Sequence, residues 1–193
     1  MQNIQDIFSV PIYNAYLPID TDKLIDMAYE ERKLNSKGRF ISNKGGYQTN
    51  DLDYTKYKFL FDELHSHIVK YYNLFGFKKA ELFLANFWTN ISNYRDFNKA
   101  HVHAGSTISG VIYLKTPEAP KCGNIIFEHP YSGIDFFTNG AEINNTKYTY
   151  PSYFFNVEPK LFLLFPSYLR HYVEPNETKE DRISMSFNFA TRW

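Results

Sequence analysis

The texture of the chain changes near residue 80, and that change limits the fold more than any other feature of its 193 residues. Downstream, short β-branched and aromatic runs are punctuated by Gly, Pro and Asn, the pattern of a sandwich or barrel. Strands are expected near 82–92, 100–104, 107–115, 123–128, 134–138, 147–156, 160–165, 170–174 and 182–190. Upstream, apolar residues recur at helical spacing. Helices first and many strands after predict an α+β chain, mainly β: a double-stranded β-helix (jelly roll) with N-terminal supporting helices.

In the upstream part, Asp20-Thr21-Asp22 precedes a helix with Leu24, Ile25, Met27 and Ala28 on its apolar face. Asp51 or Asp53 caps a second helix. There Tyr57, Leu60, Phe61, Leu64, Ile68 and Tyr71 recur at intervals of three and four, ending near Phe75-Gly76. Segment 35–50, with Gly38, Gly45 and Gly46, reads as a loop able to move over a site. Without a low-complexity linker or a repeat of fixed period, one domain is expected over 1–193. Its parts are an N-terminal helical layer (1–80) and a jelly-roll core (81–193).

Composition excludes little but does so usefully. The 21 Lys and Arg balance the 21 Asp and Glu, so no global positive field draws the chain to nucleic acid or anionic lipid. The single Cys122 excludes an internal disulfide and suits a reducing compartment, with the cytoplasm as the default expectation. No basic-then-apolar leader and no run of eighteen apolar residues is evident, so neither a signal peptide nor a membrane span is expected. The sequons at Asn90, Asn144 and Asn176 carry no functional weight in a chain so rich in Asn.

Chemistry concentrates between Trp88 and Asn188. In His101-Val102-His103 the two histidines are two apart, and on a strand such residues share a face. Two imidazoles alone do not define a site. His171, after Phe165-Pro166-Ser167-Tyr168-Leu169-Arg170, can supply a third nitrogen from a distant strand of a roll. Imidazoles suit iron, zinc, copper and nickel alike. Arg182 then opens the alternating run Arg-Ile-Ser-Met-Ser-Phe-Asn-Phe, which places Arg182, Ser184, Ser186 and Asn188 on one strand face. A guanidinium forks onto a carboxylate, and a hydroxyl two residues on completes the cradle. The competing reading of this run is an edge strand with a wet polar face.

Taken in order, H-x-H, the strand ending Tyr113-Leu114, the distal His171 and Arg182-x-Ser184 resemble the iron(II)/2-oxoglutarate dioxygenase superfamily. Trp88-Thr89-Asn90, Ser109-Gly110-Val111-Ile112-Tyr113-Leu114, Gly123-Asn124-Ile125-Ile126-Phe127 and Phe165-Pro166-Ser167 are similar to a branch met in bacteria and the phages that infect them. The resemblance covers about residues 82–190, with a weaker match at Ile7-Phe8-Ser9-Val10-Pro11-Ile12-Tyr13. It implies Fe(II), 2-oxoglutarate and O2 as cofactor and co-substrates. His101 and His171 become iron ligands, with His103 where the superfamily usually has Asp or Glu. Arg182 would bind the distal carboxylate of 2-oxoglutarate, assisted by Ser184, with Asn90 and Tyr113 as further contacts. A third neutral imidazole in place of a carboxylate raises the charge left on the metal.

Other residues are weaker candidates. His65 and His67 do not share a helix face, His129-Pro130 reads as a turn, and Glu128 as a strand-end surface acid. Trp88, Phe87 and Phe165 read as core. Two competing functions remain: a cupin-type metal enzyme not using 2-oxoglutarate, and a non-catalytic jelly-roll binding module. The first is suggested by the Pro166 to His171 spacing. It is weakened by Ala104-Gly105-Ser106-Thr107, which lacks the acid expected after H-x-H. A small-molecule or side-chain substrate of unknown class is expected, with no membrane or nucleic-acid partner. Loop 35–50 and segment 131–147 are expected at the mouth. Oligomeric state stays open.

Overall fold

The computed structural model describes residues 4, 6–131, 133 and 143–193. The expected strand at 134–138 lies outside them, as does most of segment 131–147. Two helices form where the periodicity placed them. The first, α1 (Thr21–Leu34), is capped by Asp20, whose carboxylate accepts from the Lys23 N–H, and its last turn carries Arg32 and Lys33 against the negative end of the helix dipole. The second, α2 (Tyr54–Asn73), is capped by Asp53 through the Thr55 N–H. Tyr57, Leu60, Phe61, Leu64, Ile68 and Tyr71 are its buried residues.

Among the described residues, eleven strands build two antiparallel sheets. They are β1 (Tyr13–Tyr16), β2 (Asn43–Lys44), β3 (Tyr47–Gln48), β4 (Glu81–Ser92), β5 (Phe97–His101), β6 (Ile108–Lys115), β7 (Ile125–Glu128), β8 (Ser152–Phe155), β9 (Leu161–Pro166), β10 (His171–Val173) and β11 (Arg182–Arg192). The major sheet runs β1-β9-β6-β11-β4-β3, and the minor sheet β2-β5-β10-β7-β8. Facing one another, they form the jelly roll. Three expectations are corrected. The segment before residue 80 contributes three strands as well as the helices. Loop 35–50 contains two of these, β2 on β5 and β3 on β4, which hold it to both sheets. The strand expected at 100–104 ends at His101.

Period-two alternation in the major sheet sorts side chains into two cores. One face sends Phe87, Ile91, Ile108, Ile112, Phe162, Leu164, Ile183, Met185 and Phe187 against Leu24, Ala28, Phe61 and Leu64 of the helices. Phe61 meets Phe87 and Phe187 edge to face, at centroid separations of 5.0 and 6.1 Å. The opposite face sends Val111, Tyr113, Leu161, Leu163 and Phe165 toward Ile125 and Phe127 of the minor sheet. Each such side chain contributes about 1.5–3 kcal/mol on burial.

Gly110 in β6 marks the tightest approach in the helix-side core, since a Cβ there would lie 2.3 Å from the Phe187 ring and 2.9 Å from the Leu163 carbonyl oxygen. Gly110→Ala should cost about 1–3 kcal/mol of unfolding free energy by overpacking, and Leu64→Ala about 2–5 kcal/mol by leaving a cavity. Urea denaturation followed by circular dichroism measures both. A Gly110→Ala midpoint equal to the parent's would contradict the close Phe187 packing.

Candidate metal centre

Three of the six histidines come together between the sheets. β5 ends on His101, β10 begins on His171, and the two residues pair across the minor sheet. His103 lies two residues past the end of β5, so it does not share a strand face with His101. It arrives because its N–H donates to the Ser167 carbonyl (2.9 Å), turning the chain back beside the β9–β10 connection. The His101 and His103 Nε2 atoms are 3.2 Å apart, and the ligand-capable nitrogens of all three residues lie within 4.8 Å of one another.

Hydrogen bonding on the far side of each ring decides what those nitrogens offer. The His101 Nδ1 lies 2.7 Å from the Lys99 carbonyl, and the His171 Nδ1 2.9 Å from the Leu169 carbonyl. A carbonyl oxygen only accepts, so both Nδ1 atoms carry hydrogen and both Nε2 atoms are bare in the neutral rings. The His103 Nδ1 meets the Asn188 Oδ1 at 2.6 Å. Burial pushes the His171 pKa down to about 3 and that of His103 down to about 4, and burial also lowers His101. At neutral pH the cluster is therefore three uncharged imidazoles, with the Nε2 lone pairs of His101 and His171 bare and that of His103 bare also when Asn188 accepts its Nδ1–H. Such an arrangement repels itself and is relieved by a cation, so the donor set fits a divalent transition metal. Glu128 does not supply a carboxylate, since it pairs with Arg170 at 2.8 Å.

On β11, Arg182 is 3 % exposed. Its Nη1 donates to the carbonyls of Cys122 (2.5 Å), Gly123 (3.2 Å) and Glu174 (3.2 Å), and its Nη2 to the Ser92 Oγ (3.1 Å). Gly123 admits the guanidinium, because a Cβ there would lie 2.8 Å from Nη1 and 2.4 Å from the Glu174 carbonyl oxygen, at a backbone φ of +85°. Burial lowers the Arg182 pKa, while Asp96 and Glu174 act on it only at longer range. Among the described residues no carboxylate forms an ion pair with it, so a buried cation faces the cavity without an anion. Arginine keeps its charge even there.

The remaining sequence candidates form one lateral row across three strands. Asn90 on β4 lies opposite Ser184 on β11, and Ser184 opposite Tyr113 on β6. All three line the same cavity as the histidines and Arg182. Asn90 Nδ2 donates to the Ser186 Oγ at 3.2 Å. Burial raises the Tyr113 pKa, so its phenol stays protonated. Phe87 is core, as expected. Phe165 is buried but also lines the cavity, its ring edge to face on His171 at 4.7 Å. Trp88 is not core: it lines the cavity and stacks on His103 at 5.8 Å.

His65 is exposed, His67 shares a 2.6 Å hydrogen bond with the Tyr13 hydroxyl, and His129 sits in a turn with Tyr131. Sequence reasoning missed Ser92, which holds Arg182, and the supporting role of Asn188. The Ser92–Arg182 pairing follows from the β4–β11 register, which no local pattern encodes.

Comparison with known proteins agrees with this geometry. In fold the chain is similar to a Pseudomonas putida prolyl-4-hydroxylase, at 17 % identity and a TM-score of 0.59, with 94 % of this chain and 93 % of that one covered. It is similar also to HygX from Streptomyces hygroscopicus, determined with nickel, 2-oxoglutarate and hygromycin B bound (12 % identity, TM-score 0.64, 94 % and 83 % covered). A third is SnoN, the non-heme alpha-ketoglutarate-dependent epimerase of nogalamycin biosynthesis (15 % identity, TM-score 0.62, 93 % and 78 % covered). No curated protein matches the sequence. The family model described as "Putative 2OG-Fe(II) oxygenase" matches residues 86–188. That match spans more than half of the chain and runs through the three histidines and Arg182, and the chain belongs to the 2OG-Fe(II) oxygenase family.

Proposed function

We propose that the protein hydroxylates a small molecule or a macromolecular side chain, with His101, His103 and His171 holding Fe(II) and Arg182 holding 2-oxoglutarate. The observation that carries this reading is the meeting, in one cavity, of three neutral imidazole rings and a buried guanidinium that has no ion-pair partner among the described residues. Arg182 pairs with the distal carboxylate of 2-oxoglutarate through charge-assisted hydrogen bonds, and the carboxylate neutralises the buried charge. The Ser184 hydroxyl, two residues on and facing the same cavity, accompanies it. Asn90 and Tyr113, in the same lateral row, contact the same ligand and limit its rotation.

Bound Fe(II) supplies the oxidative chemistry, in which a substrate C–H, O2 and 2-oxoglutarate become a C–OH, succinate and CO2. The residues orient both ligands and exclude water, Trp88 and Phe165 providing the apolar walls beside His103 and His171. The shared core of α1, α2 and strands β4, β6, β9 and β11 supports reading 1–193 as one folding unit. The lone buried Cys122 supports a reducing, cytoplasmic setting, and the motif resemblance supports a source in bacteria or their phages. No helix of the described residues is long and apolar enough to cross a membrane.

Anaerobic addition of Fe(II) and then 2-oxoglutarate should produce a weak visible charge-transfer band in the parent protein. His171→Ala should lose stoichiometric Fe(II) binding with the fold retained by circular dichroism. Arg182→Ala should keep Fe(II) but weaken 2-oxoglutarate by about 2–5 kcal/mol, Arg182→Lys by less. A parent that binds Fe(II) without responding to 2-oxoglutarate would favour the cupin-type reading.

Gly123→Ala tests the cradle without touching any ligand-facing side chain. It should displace the guanidinium and weaken 2-oxoglutarate, with Fe(II) affinity unchanged in the same titration.

A further inference from the structure

Four residues past the Asn90–Ser184–Tyr113 row, β11 carries a second polar row that does not line the cavity. Asn188 lies opposite Asn86 on β4 and opposite Ser109 on β6. Its Oδ1 accepts from the Ser109 Oγ at 2.8 Å and meets the His103 Nδ1 at 2.6 Å, while its Nδ2 donates to the Asn86 Oδ1 at 2.9 Å. Ser109 Oγ is also 2.8 Å from the Ser167 Oγ, and Ser167 accepts the His103 N–H through its backbone carbonyl. The register shift between Asn188 and Phe189, where β4 carries one extra residue, re-aims the strand at this point.

His103 differs from its two partners in one respect. The Nδ1 atoms of His101 and His171 rest on backbone carbonyls close in their own strand or turn. His103 lies beyond its strand, and its Nδ1 rests on a side chain from the other sheet. We infer that Asn188 is the positioning residue of the centre: by accepting the Nδ1–H it selects the tautomer and ring orientation that turn the His103 Nε2 toward His101 and His171. This inference rests on the reading of the three histidines as metal ligands. The Asn86 and Ser109 contacts go with the Asn188 amide oxygen turned toward the ring, Ser109 donating to it and the Nδ2 donating to Asn86. The opposite amide orientation would place hydrogen on the His103 Nε2, facing the His101 Nε2 and blocking a third ligand.

The tautomer is read directly, without metal, by long-range 1H–15N correlation of the histidine rings. In the parent, and in Asn188→Asp, which keeps the acceptor, His103 should carry hydrogen on Nδ1. In Asn188→Leu the Nε2–H form should appear. Fe(II) affinity, titrated anaerobically, should fall about 10- to 100-fold in Asn188→Leu and hold or rise in Asn188→Asp. Both variants lose the Nδ2–H given to Asn86 while Asn188→Asp alone keeps an acceptor toward the His103 Nδ1, so equal changes of ring tautomer and Fe(II) affinity in the two would overturn the inference. An Nε2–H ring in the parent would do the same. Should Asn188→Leu not fold, Ser109→Ala removes one restraint on the amide and should weaken Fe(II) in the same direction by less, and no change would count against the inference. A parent that binds no Fe(II) overturns the metal reading and this role with it. A parent that binds Fe(II) beside an equally tight Asn188→Leu overturns the role of Asn188 alone.

Discussion

Strand β11 sits between β4 and β6, and its two-residue alternation supports both halves of the molecule. Ile183, Met185 and Phe187 are buried against the helices, while Arg182, Ser184, Ser186 and Asn188 face the minor sheet. Because the side-chain period is two, a register slip of one residue would exchange the faces. Arg182 would then enter the helix-side core and the phenylalanines the cavity. The cost of that exchange ties the position of the site to the integrity of the core. Gly110 contributes by leaving room for the Phe187 ring on the buried face.

Electrostatically, the site keeps its protein charge at one end. Three imidazoles are neutral through burial, and the guanidinium is charged and surrounded on one flank by carbonyls and the Ser92 hydroxyl. Those carbonyls stabilise the cation without neutralising it, as a carboxylate side chain would. In the proposed reading a dianionic co-substrate spans both ends, one carboxylate neutralising Arg182 and the other meeting the divalent cation, which leaves one positive charge at the metal. A neutral donor set leaves more of the metal's charge available to that co-substrate than the usual set with a carboxylate would.

Much of this was legible before folding. The α2 stripe from Tyr57 to Tyr71 names its buried face residue by residue, because helical spacing and apolar content are local properties. The alternation from Arg182 to Phe189 likewise separates the polar face from the buried one. His101, His103, His171 and Arg182 were legible as types in order, through their resemblance to the family. The reading of His103 as a strand neighbour of His101 failed. What brings it to the cluster is a bond from its N–H to Ser167, sixty-four positions away in the chain. Trp88 was read as core because aromatic content alone does not distinguish a wall of a cavity from a filled interior.

The sequence by itself determined the helices, the roll of strands and the residue types able to bind a metal and an anion, since these follow from periodicity, capping and side-chain chemistry. Only the tertiary structure decided that Asn90, Ser184 and Tyr113 lie in one row, that Ser92 and three carbonyls hold Arg182, and that Asn188 holds His103. Each of these depends on strand register between distant segments. Register is set by the simultaneous packing of both faces of the major sheet, and no stretch of sequence carries that information alone.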